Sequence, residues 1–136
     1  MSLFNTSNLT CTECKTIFPM EVVASINADR RPDLREAIMT SRFQDAVCPE
    51  CGHTARMQPQ FSYMDVERGQ WLACMPADEI GTYRKGEEDA KRLFATIFGD
   101  NAPEESREVG ESLTPRITFG WPAVREKLLI RNLNLD

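Results

Sequence analysis

The sequence lacks the segments that place a protein in or across a membrane. No run of apolar residues approaches the ~18 needed to cross a bilayer, and segment 1–7 has neither the basic region nor the apolar stretch of a signal peptide. These absences predict a cytoplasmic protein with no membrane partner. The five cysteines fit a reducing compartment, where closely spaced cysteine pairs hold metal rather than form disulfides.

Clustered basic residues are scarce as well. The formal net charge is −5, and the lysines and arginines are scattered along the chain, with Arg30-Arg31 as the one candidate patch before the first predicted helix. Binding to nucleic acid needs lysines and arginines gathered against phosphates. Nucleic acid is therefore an unfavoured partner, and a nucleic-acid accessory domain is only a minor alternative.

Groups suited to catalysis are few. The chain has one histidine, His53, and no glycine-rich loop that could cradle a phosphate. Cys74 lies in an apolar segment and is predicted to pack in the core, with no second histidine to activate it. Two carboxylate pairs beside predicted turns are typical of solvated surface: Asp65 with Glu67, and Asp78 with Glu79. No catalytic residue is predicted, and the sequence favours a role other than catalysis.

What the sequence does contain is the same metal-binding turn twice. Cys11-Thr12-Glu13-Cys14 and Cys48-Pro49-Glu50-Cys51 each place two thiols on one tight turn. Four thiolates suit one tetrahedral Zn²⁺ and leave no open position for water. We therefore predict one structural zinc ion, bound by Cys11, Cys14, Cys48 and Cys51, that contributes to folding stability.

Two other uses of paired cysteines fit the sequence less well. A redox dithiol has one pair at the start of a helix in a βαβ setting, whereas both pairs here are flanked by strand-like sequence. A zinc deaminase needs His-x-Glu and Pro-Cys-x-x-Cys, but Val47 precedes Cys48 and His53 precedes Thr54-Ala55. His53 could replace a thiolate or hydrogen-bond one, and a polar residue beside the second turn is the favoured interpretation.

The first half of the chain reads as strands around one helix. Residues 15–47 separate the two pairs, which exceeds the ~15–20 residues of a minimal zinc ribbon. A helix over about 32–42, opened by Pro32, accounts for the excess. Residues 1–10 are predicted as an extended lead-in, and the predicted strands lie at 16–26, 43–47, 54–59, 61–66 and 71–75.

The second half is predicted to be mainly helical. The apolar stripe of Ala90, Leu93, Phe94, Ile97 and Phe98 predicts the strongest helix, with Gly99 as its left-handed stop. Residues 100–115 are predicted as a surface loop, and the alternation of Ile117, Phe119 and Trp121 as a short strand. Pro122 then opens a last helix with Val124, Leu128 and Leu129 inward, and its tail at 133–135 hints at burial against another subunit or at truncation.

These residues together resemble the CpXC family. The resemblance rests on both Cys-x-x-Cys turns, on Ser25-Ile26-Asn27, Pro32-Asp33-Leu34, Tyr63-x-Asp65 and Met75-Pro76, and on the later Phe119-Gly120 and Arg125-Glu126-Lys127. Thr12 stands where the family name expects proline, which loosens the first turn and keeps the ligands. The resemblance implies a prokaryotic protein with a zinc site and this fold, and it transfers no reaction.

We therefore predict an α+β protein. A zinc-ribbon-like antiparallel β unit with an inserted helix occupies residues 1–76, and segment 77–136 contributes two C-terminal helices packed on the sheet in a single folded unit. The favoured function is a zinc-stabilised module that binds a protein partner, with homo-oligomerisation left open. The alternative is an enzyme or small-molecule binder with a cleft between ribbon and helices, lined by Tyr63, Asp65, Trp71 and His53.

Overall fold

The computed structural model describes residues 2–132, and the predicted apolar tail at 133–135 lies outside them. The helices are α1 (Pro32–Met39), α2 (Tyr83–Phe98), α3 (Glu104–Glu111) and α4 (Trp121–Asn132), with a 3₁₀ helix at Ala77–Thr82 before α2. The strands are β1 (Leu3–Thr10), β2 (Ile17–Asn27), β3 (Asp45–Val47), β4 (Thr54–Arg56), β5 (Phe61–Asp65), β6 (Gln70–Met75) and β7 (Thr114–Phe119). The α+β class is confirmed.

Five strands form one mixed sheet in the order β1-β2-β5-β6-β7. β1 and β2 are antiparallel, β2 and β5 parallel, β5 and β6 antiparallel, and β6 and β7 parallel. β3 and β4 form a separate antiparallel hairpin. The large sheet is thus mixed, because α1 and the β3–β4 hairpin connect β2 to β5, and α2 and α3 connect β6 to β7.

The sheet is the middle layer of the protein, with helices on both faces. Along β6, Leu72 and Cys74 point into a core that α1 and α4 cover, while Trp71 and Ala73 point into a second core under α2 and α3. Successive strand residues face opposite sides, so a strand buried on both sides reads as an unbroken apolar run. This explains why Trp71 to Met75 are apolar without alternation.

Three predictions about the elements need correction. Residues 1–10 are more than a lead-in, because Leu3–Thr10 is a full strand paired with β2. The predicted loop 100–115 contains helix α3 and the start of β7, so within the described residues three α-helices rather than two follow the 3₁₀ helix at Ala77–Thr82. Trp121 begins α4 rather than ending a strand.

Two predictions about single side chains also fail. Leu129 is predicted inward but is 43% exposed, while Val124 and Leu128 are buried as predicted. Gly99 is not left-handed, since its φ is −82°. A side chain there would place its Cβ 2.3 Å from the carbonyl oxygen of Ala95, so the absence of a Cβ is what this helix end requires.

Within residues 2–132, no helix combines the length and apolar character needed to span a bilayer.

The helix predicted over 32–42 is present and ends at Met39, with Thr40 and Ser41 in the turn that follows. The division of the chain into units 1–76 and 77–136 stays a prediction. β7, from the second half, nevertheless forms one edge of the sheet beside β6.

Candidate metal centre

The two cysteine turns have the same backbone hydrogen bonds. In the first turn the Cys11 N–H donates to the Thr16 carbonyl at 2.9 Å, and the Lys15 N–H donates to the Cys11 carbonyl at 3.0 Å. In the second turn the Cys48 N–H donates to the His53 carbonyl at 2.9 Å, and the Gly52 N–H donates to the Cys48 carbonyl at 3.0 Å. Each turn is thereby held as one rigid loop that presents two thiols.

The four thiols of the two turns converge on one point. Their sulfur atoms all lie within 4.8 Å of one another. The Sγ atoms of Cys11 and Cys51 are 3.5 Å apart, as are those of Cys14 and Cys48. Four sulfurs at the ~2.3 Å bond length of a tetrahedral zinc site lie about 3.8 Å apart. The spacing therefore fits one metal ion with each turn supplying two ligands.

The protonation of these thiols points to the same conclusion. Hydrogen bonds from the hydroxyl and backbone N–H of Thr16 lower the pKa of Cys14 to about 6. The backbone N–H of Cys14 is the main cause that lowers the pKa of Cys11. The His53 backbone N–H acts to lower the pKa of Cys51, but the Cys11 thiol, burial and the other sulfurs outweigh it and raise that pKa to about 12.

Sulfurs this close cannot all ionise without a counterion, because each thiolate disfavours the next. A divalent cation removes that conflict, and it requires the deprotonated form of every ligand. The chemistry of the four-sulfur donor set thus matches a soft-tolerant cation such as zinc better than calcium or magnesium, which prefer oxygen ligands.

The metal turns lie at the ends of two hairpins. The first turn connects β1 to β2, and the second connects β3 to β4. Gln44 bridges the hairpins directly, since its side chain accepts from the Val23 N–H at 3.2 Å and donates to the Glu21 carbonyl at 3.3 Å. A metal ion at the cysteines would add a second cross-link between them.

The far end of the β3–β4 hairpin is anchored to α4. The indole N–H of Trp121 donates to the Met57 carbonyl at 2.5 Å, and the Arg56 guanidinium lies 4.5 Å from the centre of the Trp121 ring. Phe43 packs edge-on against Trp121 with ring centroids 5.9 Å apart. The base of the hairpin is therefore fixed in the core, while its tip carries Cys48 and Cys51.

His53 and Cys74 are not part of the sulfur cluster. The Nε2 atom of His53 lies 3.4 Å from the Thr12 hydroxyl oxygen, so the ring contacts the opposite turn and links the two turns outside the ligand set. Cys74 is 2% exposed in the core, as predicted, and burial raises the pKa of its thiol to about 12. Neither residue adds a donor to the four thiols.

The four residues predicted to line a cleft do not come together in one place. Tyr63 is fully buried on the face of the sheet that α1 and α4 cover, whereas Trp71 is buried on the opposite face. His53 belongs to the second metal turn. The structure therefore does not assemble Tyr63, Asp65, Trp71 and His53 into one binding site.

Asp65 differs most from what its sequence context predicts. A carboxylate beside a turn is expected at the surface, but Asp65 is 1% exposed. Its carboxylate accepts from the Arg68 backbone N–H at 3.0 Å and pairs with the Arg68 guanidinium at 3.0 Å, with Arg35 at 4.0 Å. This ion cluster holds the β5–β6 turn against α1. The sequence does contain one signal that Asp65 is buried. Tyr63 and Asp65 are two residues apart on a strand and therefore share a face, and Tyr63 lies in the core.

An open groove lies between the sheet and α2. It has a volume of about 480 Å³. Its apolar lining includes Phe61, Met75 and Phe119, and its polar lining includes Ser62, Lys85 and Asp89. The predicted cleft lies between the zinc ribbon and the C-terminal helices. The groove also adjoins one of those helices, but its lining includes none of the four residues predicted for the cleft.

Comparison with known proteins adds one match. A family model described as CpXC protein matches residues 9–136, a range that includes all four clustered cysteines. Searches of the curated proteins and of the solved structures each find no match. The matched range also includes the strands and helices that bring the two cysteine turns together.

Proposed function

The chain belongs to the CpXC family, and we propose that it is a zinc-stabilised module that presents a surface to a protein partner. The observation that carries the zinc assignment is the convergence of four thiols within 4.8 Å. Four sulfur ligands fill a tetrahedral zinc site, so the ion would have no position for substrate or water. Cys11, Cys14, Cys48 and Cys51 would hold it, and the zinc would supply a structural cross-link.

Two apolar side chains beside the metal turns support a binding role. Ile17 follows the first turn closely and is 68% exposed, and Val47 directly precedes Cys48 and is 57% exposed. Because the sulfur cluster brings the two turns together, both residues belong to the same end of the molecule. Exposed apolar side chains that form one contiguous patch mark protein interaction sites, and we propose that Ile17 and Val47 contribute to such a patch.

This proposal places the protein in the cytoplasm. The four thiols have to stay reduced until the metal binds, and a reducing compartment keeps them so. The sulfur atoms of Cys11 and Cys51, and those of Cys14 and Cys48, are 3.5 Å apart, so an oxidising compartment would favour disulfides between the turns. The proposed partner is therefore another cytoplasmic protein.

Capture of partners with surface variants tests the proposal. Ile17→Thr and Val47→Thr remove apolar surface but keep a β-branched side chain, so both strands should fold. Ile80→Thr is the matched control, since Ile80 is 60% exposed in the 3₁₀ helix outside both metal turns. We expect a partner captured by the zinc-loaded wild type to be lost with the first two variants and kept with the third.

Two outcomes count against the proposal. A partner that binds all three variants equally does not use the metal end. A wild type that is folded and zinc-loaded but captures no protein argues against an interaction module. Zinc content, measured by elemental analysis, separates these outcomes from simple loss of the metal site.

The groove beside α2 supports a second candidate function, the binding of a small molecule. Its volume of about 480 Å³ lies within the usual range for ligand sites, and Lys85 and Asp89 could orient a polar ligand. A thermal-shift screen with metabolite pools would test it. Stabilisation that disappears in Lys85→Ala favours this function, and no stabilisation by any pool counts against it.

A further inference from the structure

We propose that β1 pairs with β1 of a second copy of the chain, joining the two sheets into one. β1 forms one edge of the five-stranded sheet, and within residues 2–132 no strand pairs with its outer side. An edge strand presents unpaired backbone N–H and C=O groups along its length. Eight residues long, β1 offers an extended template for another strand.

The composition of β1 favours such pairing. Residues 1–12 contain no charged side chain, although 27% of the whole chain is charged. Its central residues are the small polar, exposed side chains Asn5, Thr6, Ser7 and Asn8. Two copies of a protein with a net charge of −5 can therefore approach at this edge without like charges facing each other on β1 itself.

The opposite edge of the sheet is protected in the usual way. β7 carries Pro115, which has no N–H to donate to another strand, and Arg116, whose charge disfavours the pairing of a second strand along this edge. β7 thus carries a proline and a charged residue that oppose strand addition, whereas β1 carries neither. The one irregularity in the pairing of β1 lies near its start, between Leu3 and Phe4. The difference between the two edges singles out β1 as the edge available for pairing.

Symmetry narrows the register of the pair. A twofold axis that relates two antiparallel edge strands is perpendicular to the sheet, so it keeps each face on its own side. Opposite residues must then share a face, and the axis passes between one residue and its own copy. For β1 the central choices are Thr6 and Ser7.

The register centred on Thr6 pairs similar side chains at every position of β1 except Phe4, which lies opposite Asn8. It places Thr6 opposite Thr6 of the second copy, Asn5 opposite Ser7, and Leu3 opposite Leu9. The register centred on Ser7 instead sets Asn5 against Leu9 and Leu3 against Cys11 of the metal turn. Cross-strand Thr–Thr and apolar pairs stabilise antiparallel sheets, so the structure favours the Thr6-centred register and a continuous ten-stranded sheet.

The neighbour of Thr6 makes a sharp test available. The Thr6 hydroxyl donates to the Glu21 carboxylate at 2.7 Å, across the β1–β2 pair. In Thr6→Lys the new ammonium would face Glu21 within the same copy, which supports the fold. It would also face its own copy across the twofold axis, which opposes the dimer.

Sedimentation of the full-length, zinc-loaded chain over a range of concentrations measures the association. We expect a wild-type monomer–dimer equilibrium, and a dissociation constant raised at least tenfold in Thr6→Lys. Thr96→Lys, the same change on an exposed position of α2, should leave the constant unchanged. The double variant Asn5→Lys/Ser7→Glu tests the register. Only in the Thr6-centred register does position 5 of one copy lie opposite position 7 of the other, so that each introduced ammonium faces an introduced carboxylate. The double variant should therefore dimerise at least as well as the wild type.

Three results from the sedimentation measurements would overturn the proposal, and hydrogen exchange supplies a fourth. The three are a wild type that stays monomeric at the highest concentration, a Thr6→Lys variant that dimerises as the wild type does, and a double variant that is monomeric. Hydrogen exchange on the wild type covers the case in which a variant fails to fold. The amides of residues 3–10 should exchange more slowly at high protein concentration, and exchange independent of concentration contradicts β1 pairing. Zinc content should not change in any variant, so failure here leaves the proposed zinc function intact.

Discussion

Lys15 and Gly52 occupy equivalent positions in the two metal turns. Each is four residues after the first cysteine of its turn, and each donates its N–H to that cysteine's carbonyl at 3.0 Å. Both have a left-handed backbone, with φ of 66° at Lys15 and 75° at Gly52. One turn thus meets this requirement with glycine, and the other imposes it on a residue with a side chain.

The first prediction concerns that backbone requirement. Gly52→Ala should lower the free energy of unfolding of the zinc-loaded protein by about 1 kcal/mol, because a left-handed conformation disfavours a Cβ. No atom lies within 4 Å of that Cβ, so steric contact adds nothing. Gly52→Asn should cost less, since asparagine tolerates this conformation. Denaturant unfolding measures both, and an Ala variant as stable as the wild type contradicts the prediction.

Metal loading should depend on pH. The pKa of Cys51 is raised to about 12, so at pH 7 this thiol must release its proton to bind metal. The pKa of Cys14 is lowered to about 6, and below that pH its thiolate is protonated as well. As the pH is lowered, the apparent affinity for zinc should therefore fall about tenfold per pH unit for each displaced proton, and more steeply below pH 6. Competition with a chelator from pH 5.5 to 8 measures this, and constant affinity would refute it.

The cysteines should separate into two classes. Cys51→Ser removes a proposed ligand and should abolish stoichiometric zinc binding and cooperative unfolding. Cys74→Ala should keep the zinc and lower the free energy of unfolding by about 1–2 kcal/mol, the cost of a small cavity. Elemental analysis and thermal unfolding read out both changes. Zinc loss in Cys74→Ala, or full zinc content in Cys51→Ser, would show that the ligand set is different.

The buried carboxylate provides a matched pair of variants. Asp65→Asn removes the buried carboxylate that faces Arg68 and Arg35, and it should lower the free energy of unfolding by about 3 kcal/mol. Asp33→Asn also removes one carboxylate from an arginine pair, but that pair is exposed. Its cost should stay below about 1 kcal/mol. Equal effects in denaturant unfolding would mean that burial does not decide the difference.

The contact between α2 and α3 rests on a glycine. A Cβ on Gly110 would lie 2.5 Å from the Cβ of Phe98, so Gly110→Ala should lower the free energy of unfolding by about 1–3 kcal/mol. Gly81→Ala is the control, since a Cβ on Gly81 meets no atom within 4 Å. Thermal unfolding measures both variants. A Gly110→Ala variant with the same unfolding temperature as the Gly81→Ala control would contradict the close packing of these helices.

The local parts of this structure were predictable, and the parts that depend on distant contacts were not. A Cys-x-x-Cys turn is set by four adjacent residues, and α2 is marked by its own apolar stripe. β1 was missed as a paired strand because its central residues are polar and its partner is supplied by β2. α3 was missed because it has little apolar surface, and it packs through Gly110 against Phe98.

The same reasoning explains the errors at single residues. Leu129 is apolar like a core residue, but it lies about 100° around α4 from the buried Leu128, on a side of the helix that is partly exposed. Asp65 looks like a turn residue, and only the three-dimensional approach of Arg35 from α1 shows why a carboxylate can be buried there. Such compensation between residues far apart in the chain leaves no local pattern in the sequence.

The link between the two cysteine turns also has a consequence for how fast the chain can fold. Parallel pairing of β2 with β5 brings Ser25 next to Ser62, across a long intervening segment. Closing such a loop costs entropy that grows with its length, and non-local strand pairing is a slow event in folding. A metal ion that first joins Cys14 to Cys48 shortens the free chain left to close. Zinc would then accelerate the assembly of the sheet as well as stabilise the finished protein, so refolding should be faster when the ion is present from the start.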